Sequence, residues 1–399
     1  MPRKPSHVRG VAHRERVPDD AAVSEKLGSY TLVHELGEGG MGQVWLAQRR
    51  APGGFEQKVA LKRIHPRYLG DPVVYERFVT EARTNARLAH ANIVRVLDFG
   101  TEPQPFVAFE YIESVSVHEL ILRMYQLRQR VDVSAAMFIA VAAAQALGYA
   151  HKLRDDDGTP LGIVHRDVTP SNILVSVHGT PYVMDFGLVQ VADNLLETHG
   201  ANPVGTFCYM APEQLSGGHV DGRADLFSLG VVLWEMLATR QLIPSNVPDE
   251  VRAFHARGAP RRPSELNPEV PPDLDELTMQ CLRVDPEQRP PSAEAVSVAL
   301  QRMAHERAPG YGGEQLAKTI TWAFPERRWA REPPNLPPLQ PDASDRARLA
   351  AAKARAPRRG TNAPARGGLS PFGVVALVLL VAIVAVLSFI AGAVWMGWG

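Results

Sequence analysis

Three oxygen-bearing side chains, Asp167, Asn172 and Asp185, occur within a short stretch in the middle of the chain. The first two belong to the run HRDVTPSN and the third belongs to the run MDFG. A carboxylate such as Asp167 can align a hydroxyl group and accept its proton. Carboxylate and amide oxygens are the ligands that magnesium prefers beside a phosphate. The three side chains therefore have the chemistry that phosphoryl transfer requires.

A glycine-rich run, GEGGMG, occupies residues 37–42. Its glycines let the backbone bend tightly and bring N–H groups against phosphate oxygens. The next segment, 43–48, is typical of a strand, whereas a dinucleotide-binding fold needs a helix there. This pattern favours a flap folded over a nucleotide.

A lysine, Lys62, lies in the apolar run VALK and is predicted to sit in a strand. A buried lysine is costly unless it is paired with an anion. The phosphates of a nucleotide and a carboxylate from the following helix, predicted over 73–88, are the natural partners. Glu81 is the carboxylate that we expect to pair with Lys62, and a solvated helix carboxylate is the alternative.

In this order and at these intervals, the motifs resemble the eukaryotic-like (Hanks-type) serine/threonine protein kinases of bacteria, over about residues 30–300. The resemblance implies an α+β fold of two lobes, a small β-rich N-terminal lobe and a larger helical one, with ATP between them. It implies Mg²⁺ as the cofactor, with Mn²⁺ as a substitute. The implied catalytic residues are Asp167, Lys62, Glu81 and Arg166, and the implied metal ligands are Asn172 and Asp185.

The resemblance also implies a nucleotide pocket made of the glycine-rich loop and of apolar side chains around the adenine. The implied pocket residues are Leu36, Gly37, Glu38, Gly39, Gly40, Met41, Gly42, Gln43, Val44, Ala60, Lys62, Glu110 and Leu174. Residues 109–111 resemble the hinge between the lobes, with Phe109 at the back of the pocket. By residue type alone, the apolar members of this set would be ordinary core residues.

The run GTFCYMAPE, at residues 205–213, resembles the peptide-binding segment of protein kinases. Small-molecule kinases of the aminoglycoside type lack this segment, so its presence favours protein substrates. Thr206 lies where it implies substrate binding and a preference for serine or threonine. The resemblance further implies that Glu213 pairs with Arg289 and that Asp225 braces the catalytic loop.

Regulation by phosphorylation is implied by Arg166, which precedes the catalytic aspartate. In the family such an arginine holds a phosphate on the activation segment, and Thr198 is the hydroxyl residue best placed to carry it. An unmodified loop threonine is the alternative. The resemblance also allows a homodimer in which the two copies phosphorylate each other.

One position departs from the family pattern. Thr169 stands where serine/threonine kinases usually carry a lysine that contacts the γ-phosphate. Threonine supplies no positive charge, so we expect weaker transition-state stabilisation and slower turnover. The alternative is a catalytically weak pseudokinase that acts as a membrane-bound interaction module.

The C-terminal residues 372–398 carry no charged side chain and predict a transmembrane helix. At about 1.5 Å per residue the run would span roughly 40 Å, more than the hydrocarbon core of a bilayer. A buried core helix is the alternative. Basic residues in 353–366 precede the run, so the positive-inside tendency predicts a single-pass protein of the cell membrane. The kinase region would then be cytoplasmic and the C-terminus would lie at the far face.

The remaining segments predict the domain limits. Residues 1–29 are polar and read as a disordered basic arm, 30–305 as the kinase domain, and 306–371 as a linker rich in proline, arginine and alanine. A short helix near 313–324 is predicted within the linker, with Leu316, Ile320 and Phe324 on one face. Zero net charge argues against a nucleic-acid partner. Two cysteines far apart do not form a disulfide framework.

Overall fold

The computed structural model describes residues 25–38, 42–51, 55–186 and 207–327. The transmembrane helix predicted over 372–398 and most of the predicted linker lie outside these residues. Within them the chain forms the two lobes that the sequence predicts. A six-stranded sheet and one long helix make the N-terminal lobe, and helices make most of the C-terminal lobe.

The N-terminal lobe is an antiparallel sheet with strand order β1-β2-β3-β4-β6-β5. Its strands are β1 Lys26–Leu27, β2 Tyr30–Glu38, β3 Gly42–Ala51, β4 Phe55–Ile64, β5 Val96–Gly100 and β6 Phe106–Glu110. Helix α1, Pro72–Ala86, contacts β4 and β5. It begins where Asp71 accepts hydrogen bonds from Val73 N and Val74 N, with proline in its first turn. Sequence signals alone therefore fix the start of this helix.

The fold begins before residue 30. Leu27 is 1% exposed, and β1 pairs with the first residues of β2. The carboxylate of Glu25 binds the guanidinium of Arg63 on β4. Residues 25–29, predicted to belong to the disordered arm, therefore belong to the sheet. A two-residue strand with a single buried leucine gives too short a pattern to be recognised in the sequence.

The C-terminal lobe surrounds two buried helices, α3 and α5. Its helices are α2 Val117–Gln126, α3 Val133–Lys152, α4 Pro212–Ser216, α5 Gly222–Ala238, α6 Pro248–His255, α7 Pro272–Cys281, α8 Ala293–Arg307 and α9 Gly313–Ala323. A three-stranded sheet joins them, with β7 Ser114–Ser116, β8 Ile173–Ser176 and β9 Pro181–Val183 in that order. All residues of α5 from Ala224 to Ala238 are buried, so it is a central helix that is covered on every side.

Helix α3 is the one described helix that is long and apolar enough to cross a membrane. Within the lobe, 67% of its most apolar window is buried, and α3 packs against α5 and α8. Packing in the C-terminal lobe accounts for its apolar character.

The short helix predicted near 313–324 is confirmed as α9. Leu316, Ile320 and Phe324, the residues expected on one face, are all at most 2% exposed. They belong to the same apolar core as α2, α3 and α5. The predicted domain limit at residue 305 is therefore too early, because the chain stays packed on the lobe as far as Arg327. A weak helical pattern shows that a helix exists but not which surface covers its apolar face.

A buried ion pair joins α4 to the segment after α7. The guanidinium of Arg289 donates to both oxygens of Glu213, at 2.6 and 2.8 Å. The Arg289 side chain is 0% exposed, and it also donates to the carbonyls of Arg283 and Val284. The pairing of Glu213 with Arg289 that the sequence implies is thus confirmed.

Loss of this ion pair should destabilise the lobe strongly. Replacement Arg289→Ala leaves the Glu213 carboxylate largely buried without a counter-ion, so we expect the free energy of unfolding to fall by about 3–5 kcal/mol. Arg50→Ala is the matched control, because the Arg50 side chain is 78% exposed in its pair with Glu56. The control should change stability by less than about 1 kcal/mol. Urea unfolding followed by circular dichroism measures both, and equal effects would contradict the prediction.

Candidate active site

The ammonium group of Lys62 lies between two carboxylates. Lys62 is in the interior of β4, opposite Val44 of β3 and Val107 of β6. Its Nζ donates to Glu81 Oε1 of α1 at 2.6 Å and to Asp185 Oδ1 of the MDFG run at 3.1 Å. The pairing of Lys62 with Glu81 that the sequence predicts is confirmed. One cation therefore joins the sheet, helix α1 and the C-terminal lobe.

The three charged side chains are mostly buried, with exposures of 17% for Lys62, 7% for Glu81 and 19% for Asp185. Burial by itself disfavours the ammonium form, but the Asp185 and Glu81 carboxylates outweigh it and raise the pKa of Lys62. Lys62 is therefore a permanent cation at neutral pH. Its position suits the phosphates of a nucleotide.

Asp167 and Asn172 face each other across the HRDVTPSN loop. Asn172 Nδ2 donates to the Asp167 carbonyl at 2.9 Å and to Asp167 Oδ2 at 2.8 Å. The second carboxylate oxygen, Asp167 Oδ1, is buried and has no hydrogen-bond partner within the described part of the chain. A buried acceptor of this kind needs a donor, and a substrate hydroxyl is the donor that the chemistry supplies.

The surroundings of Asp167 also shift the pKa of its carboxyl group. Burial raises the pKa of the Asp167 carboxyl to about 7, against the opposing hydrogen bond from Asn172. A carboxylate that accepts a proton near neutral pH suits a general base.

Asp185 and Asn172 are well disposed to bind a divalent cation. The amide nitrogen of Asn172 is used in both bonds to Asp167, which leaves its amide oxygen as the ligand atom. Met184, next to Asp185, donates its backbone N–H to the Asn172 carbonyl at 3.0 Å, so the two runs are held together. Among the described residues no group of three or more His, Cys, Asp or Glu forms a metal cage. Mg²⁺ usually binds through only one or two protein side chains together with phosphate oxygens.

Thr169 has a structural role in the same loop. Its Oγ1 accepts a hydrogen bond from Asn172 N at 3.3 Å and caps the short 3₁₀ turn Pro170–Asn172. The residue is 6% exposed. The threonine that stands in place of the usual lysine therefore orients the backbone of a predicted metal ligand, Asn172.

A buried carboxylate on α5 binds the backbone of the catalytic loop. Asp225 accepts from the backbone N–H groups of His165 at 2.8 Å and Arg166 at 2.7 Å, and its Oδ2 lies 2.7 Å from His151 Nε2. Burial opposes ionisation, but these hydrogen bonds and charges lower the pKa of Asp225 overall. The predicted bracing role of Asp225 is therefore confirmed.

Two site residues have a strained backbone. Arg166 has φ +65° and Asp185 has φ +59°, in the left-handed region that side chains with a Cβ rarely adopt. Such strain occurs where surrounding contacts over-determine the backbone, commonly at functional sites. At Arg166 the contacts are the bond to Asp225 and a bond from Gln214 Nε2 to the Arg166 carbonyl at 3.0 Å.

Two further residues of the site, Asn85 and His165, have roles that the sequence does not predict. Asn85 is 2% exposed, and its amide donates to the carbonyls of Glu81 and Phe186. The His165 ring packs 4.5 Å from the Phe186 ring, and its Nε2 lies 3.0 Å from the Met184 carbonyl oxygen. The one available signal was spacing, because Asn85 follows Glu81 by one helical turn and shares its face.

The glycine-rich loop is described at its two ends. Residues 37–38 end β2 and Gly42 begins β3, whereas Gly39, Gly40 and Met41 lie outside the described residues. A Cβ on Gly42 would lie 2.5 Å from the Arg63 carbonyl oxygen, so glycine is required there. The side chain of Glu38 lies 2.9 Å from His65 Nε2, and that of Gln43 accepts from Arg63 Nε at 3.2 Å. Both side chains therefore have partners within the N-terminal lobe.

An apolar cluster lies beside Lys62 where the adenine is expected. Ala60 and Leu174 pack in it together with Phe109 and Ile112. Ala60 is paired with Phe109 across β4 and β6. Leu36 and Val44 are half-buried on the strands that flank the loop, and Glu110 ends β6, where its carboxylate accepts from Arg95 N. Thr198 and Thr206, the predicted regulatory and substrate residues, lie outside the described residues.

The chain matches the protein kinase domain family over residues 30–300. Tyrosine-protein kinase MasK of Myxococcus xanthus is 34% identical to it, over 76% of this chain and 47% of the relative. Serine/threonine-protein kinase PknB of Mycobacterium tuberculosis is 33% identical, over 70% of this chain and 44% of the relative. This chain thus matches less than half the length of these relatives.

A solved structure resembles the described fold. The crystal structure of the Mycobacterium tuberculosis PknI kinase domain is 27% identical, with a TM-score of 0.54 over 71% of this chain and 99% of that one. The family match and the geometry of the Lys62 site agree on the same region. The chain belongs to the protein kinase family.

Proposed function

We propose that this chain transfers the γ-phosphoryl group of ATP to serine or threonine hydroxyls of proteins. The observation that carries the proposal is the assembled site, in which Lys62 binds both Glu81 and Asp185. In this arrangement the two carboxylates fix the position of the cation. Preorganised charge of this kind is the main source of rate acceleration in phosphoryl transfer.

In the proposed reaction Lys62 binds phosphate oxygens of ATP and stabilises their charge. Asp167 Oδ1 aligns the substrate hydroxyl and takes its proton as the hydroxyl oxygen attacks the γ-phosphorus. The bond from the γ-phosphorus to the bridging oxygen breaks, and ADP leaves with the electron pair. Asn172 orients Asp167 through the hydrogen bond that its Nδ2 donates to Oδ2. A divalent cation, Mg²⁺ or Mn²⁺, held by Asp185 and Asn172 would neutralise charge on the phosphates.

The choice of serine or threonine is supported by the position of Thr206 and by the names of several relatives. PknB and the Probable serine/threonine-protein kinase SCO3848 of Streptomyces coelicolor carry that description, whereas MasK is described as a tyrosine kinase. The acceptor residue is therefore part of the proposal and of its test.

The proposed membrane tether rests on the uncharged run 372–398 and the basic residues before it. It places the kinase domain in the cytoplasm, on a single-pass helix. Fractionation of cells that produce the full chain tests it, and recovery in the soluble fraction would contradict it.

A weak pseudokinase is the second candidate, and Thr169 is the observation that favours it. Its hydroxyl oxygen accepts the Asn172 N–H, so this position supplies at most one neutral O–H donor and no positive charge. The intact set of Lys62, Glu81, Asp167 and Asp185 favours activity over this alternative.

Replacement Asp167→Asn separates the two candidates. It removes the proton acceptor, so phosphoryl transfer to protein should fall by a factor of about 10² to 10⁴. Nucleotide binding should stay within about threefold, because Lys62 and Asp185 remain. Transfer of labelled phosphate from ATP with Mg²⁺, followed by phosphoamino-acid analysis, measures rate and acceptor together.

The matched control is Asp156→Asn, which removes an exposed carboxylate from the turn before the catalytic loop. It should behave as the wild type. A wild-type chain that binds ATP but transfers nothing would favour the pseudokinase, and label on tyrosine alone would contradict the proposed acceptor.

Replacement Thr169→Lys tests the missing charge. The lysine loses the cap on Asn172 and gains an ammonium beside the γ-phosphate, whereas Thr169→Ala only loses the cap. We expect the lysine variant to turn over about tenfold faster than the alanine variant, because the added charge stabilises the transition state. Steady-state kcat values of the two variants give the comparison. Equal values would show that charge at this position does not limit the rate.

Phosphorylation of Thr198 is the proposed activation step, with Arg166 as the residue that holds the phosphate. Mass spectrometry of autophosphorylated wild-type chain should find phosphate on Thr198, and Thr198→Ala should lower the rate of transfer to added protein. Active wild-type enzyme with Thr198 unmodified would refute the step.

A further inference from the structure

The segment after α8 follows the C-terminal lobe back to the hinge. Residues 313–327, which we call the C-terminal strap, comprise α9 and the four residues after it. Leu316 and Ile320 are 0% exposed and Phe324 is 2% exposed. The apolar face of the strap is thus buried as deeply as the core of the lobe.

The start of the strap is fitted closely to the β8–β9 turn. A Cβ on Gly179 would lie 1.8 Å from the Gly313 carbonyl oxygen, and Gly179 has φ +78°. Before it, the Tyr311 ring packs edge-on against Phe138 of α3, with ring centroids 6.1 Å apart. No other residue type fits at Gly179 without moving the strap, which indicates a specific docking site.

Two arginines hold the end of the strap. Arg123 of α2 donates to the Ala323 carbonyl at 2.6 Å and to Glu326 at 3.2 Å. The guanidinium groups of Arg123 and Arg327 lie 5.9 and 5.5 Å from the centroid of the Phe324 ring. Cation–π contacts of this kind add to the burial of the ring.

Arg327 reaches the residues that connect the hinge to α2. Its guanidinium pairs with Glu119 and donates to the Ser114 carbonyl at 2.9 Å. The same Glu119 carboxylate accepts from Ser116 N at 2.8 Å, which completes the cap of α2. The Arg327 and Glu119 side chains are only 10% and 19% exposed. One carboxylate therefore joins the strap to the start of α2.

Residues 112–116, which connect the hinge to α2 and which we call the hinge exit, lie between the strap and the nucleotide pocket. Ser114 follows Ile112 by two residues, and Ile112 packs in the apolar cluster with Ala60 and Leu174. On its other side the exit pairs with β8, where Val177 N donates to the Glu113 carbonyl at 2.9 Å. Displacement of Ser114 would therefore shift the residues that the adenine is expected to contact.

We infer that the C-terminal strap tunes nucleotide affinity and that Arg327 is the positioning residue through which it does so. With Arg327 bound to Glu119 and Ser114, the hinge exit is held in the binding-competent arrangement. When this contact is lost, the competent arrangement is only partly populated, and apparent affinity falls by that fraction. The inference rests on the proposed use of ATP.

The experiment measures ATP binding and catalysis on the full chain. Arg327→Ala should raise the dissociation constant of ATP and its KM by about tenfold while kcat stays within about twofold. Arg327→Lys keeps the charge but loses the two-pronged contact, so it should give an intermediate value. Arg307→Ala is the matched control, because Arg307 pairs with Asp273 at 2.9 Å at the end of α8, away from the hinge.

Glu119→Gln and the double variant complete a thermodynamic cycle. If Arg327 and Glu119 affect nucleotide binding through their contact with each other, the double variant should bind ATP no more weakly than Arg327→Ala alone. Because nucleotide binding is measured directly, the inference and the proposed function fail in different ways. A wild-type chain that does not bind ATP would overturn the proposed function. A wild-type chain that binds ATP as tightly as Arg327→Ala does would overturn the role of the strap, even if the variant melts at a lower temperature.

Discussion

The buried ammonium of Lys62 is the interaction on which the site depends. A cation inside a sheet costs several kcal/mol unless anions surround it. Its partners, Glu81 and Asp185, come from elements far apart in the chain, and both must reach the same strand. Helix α1, the sheet and the MDFG run are therefore fixed relative to each other by one charge. Phosphates that bind there find the positive charge already oriented.

In the C-terminal lobe a second buried charge, the carboxylate of Asp225, fixes the backbone of the catalytic loop. It lies on α5, whose residues are buried on every side, so its position is set by the core of the lobe. Its bonds to the backbone of His165 and Arg166 keep the latter in a left-handed conformation that it would otherwise avoid. The catalytic loop thus takes its shape from the core.

The hinge exit links these two halves and has contacts on two sides. β8 pairs with it on one side, and Arg327 binds the Ser114 carbonyl on the other. Phe324 and Arg327 thus hold the last described residues of the chain against the lobe.

The sequence by itself determined the residues that the chemistry demands. Phosphoryl transfer needs the residue types of Lys62, Asp167, Asn172 and Asp185 in that order, so these residues are predictable from the sequence. Helix α9 is predictable because its apolar residues repeat at helical spacing. Only the tertiary structure decided that Asn85 binds the Phe186 carbonyl and that the strap docks beside the hinge. The physical reason is distance along the chain. A local pattern shows that a face is apolar or that a side chain is polar, but its partner is chosen by packing between segments many residues apart.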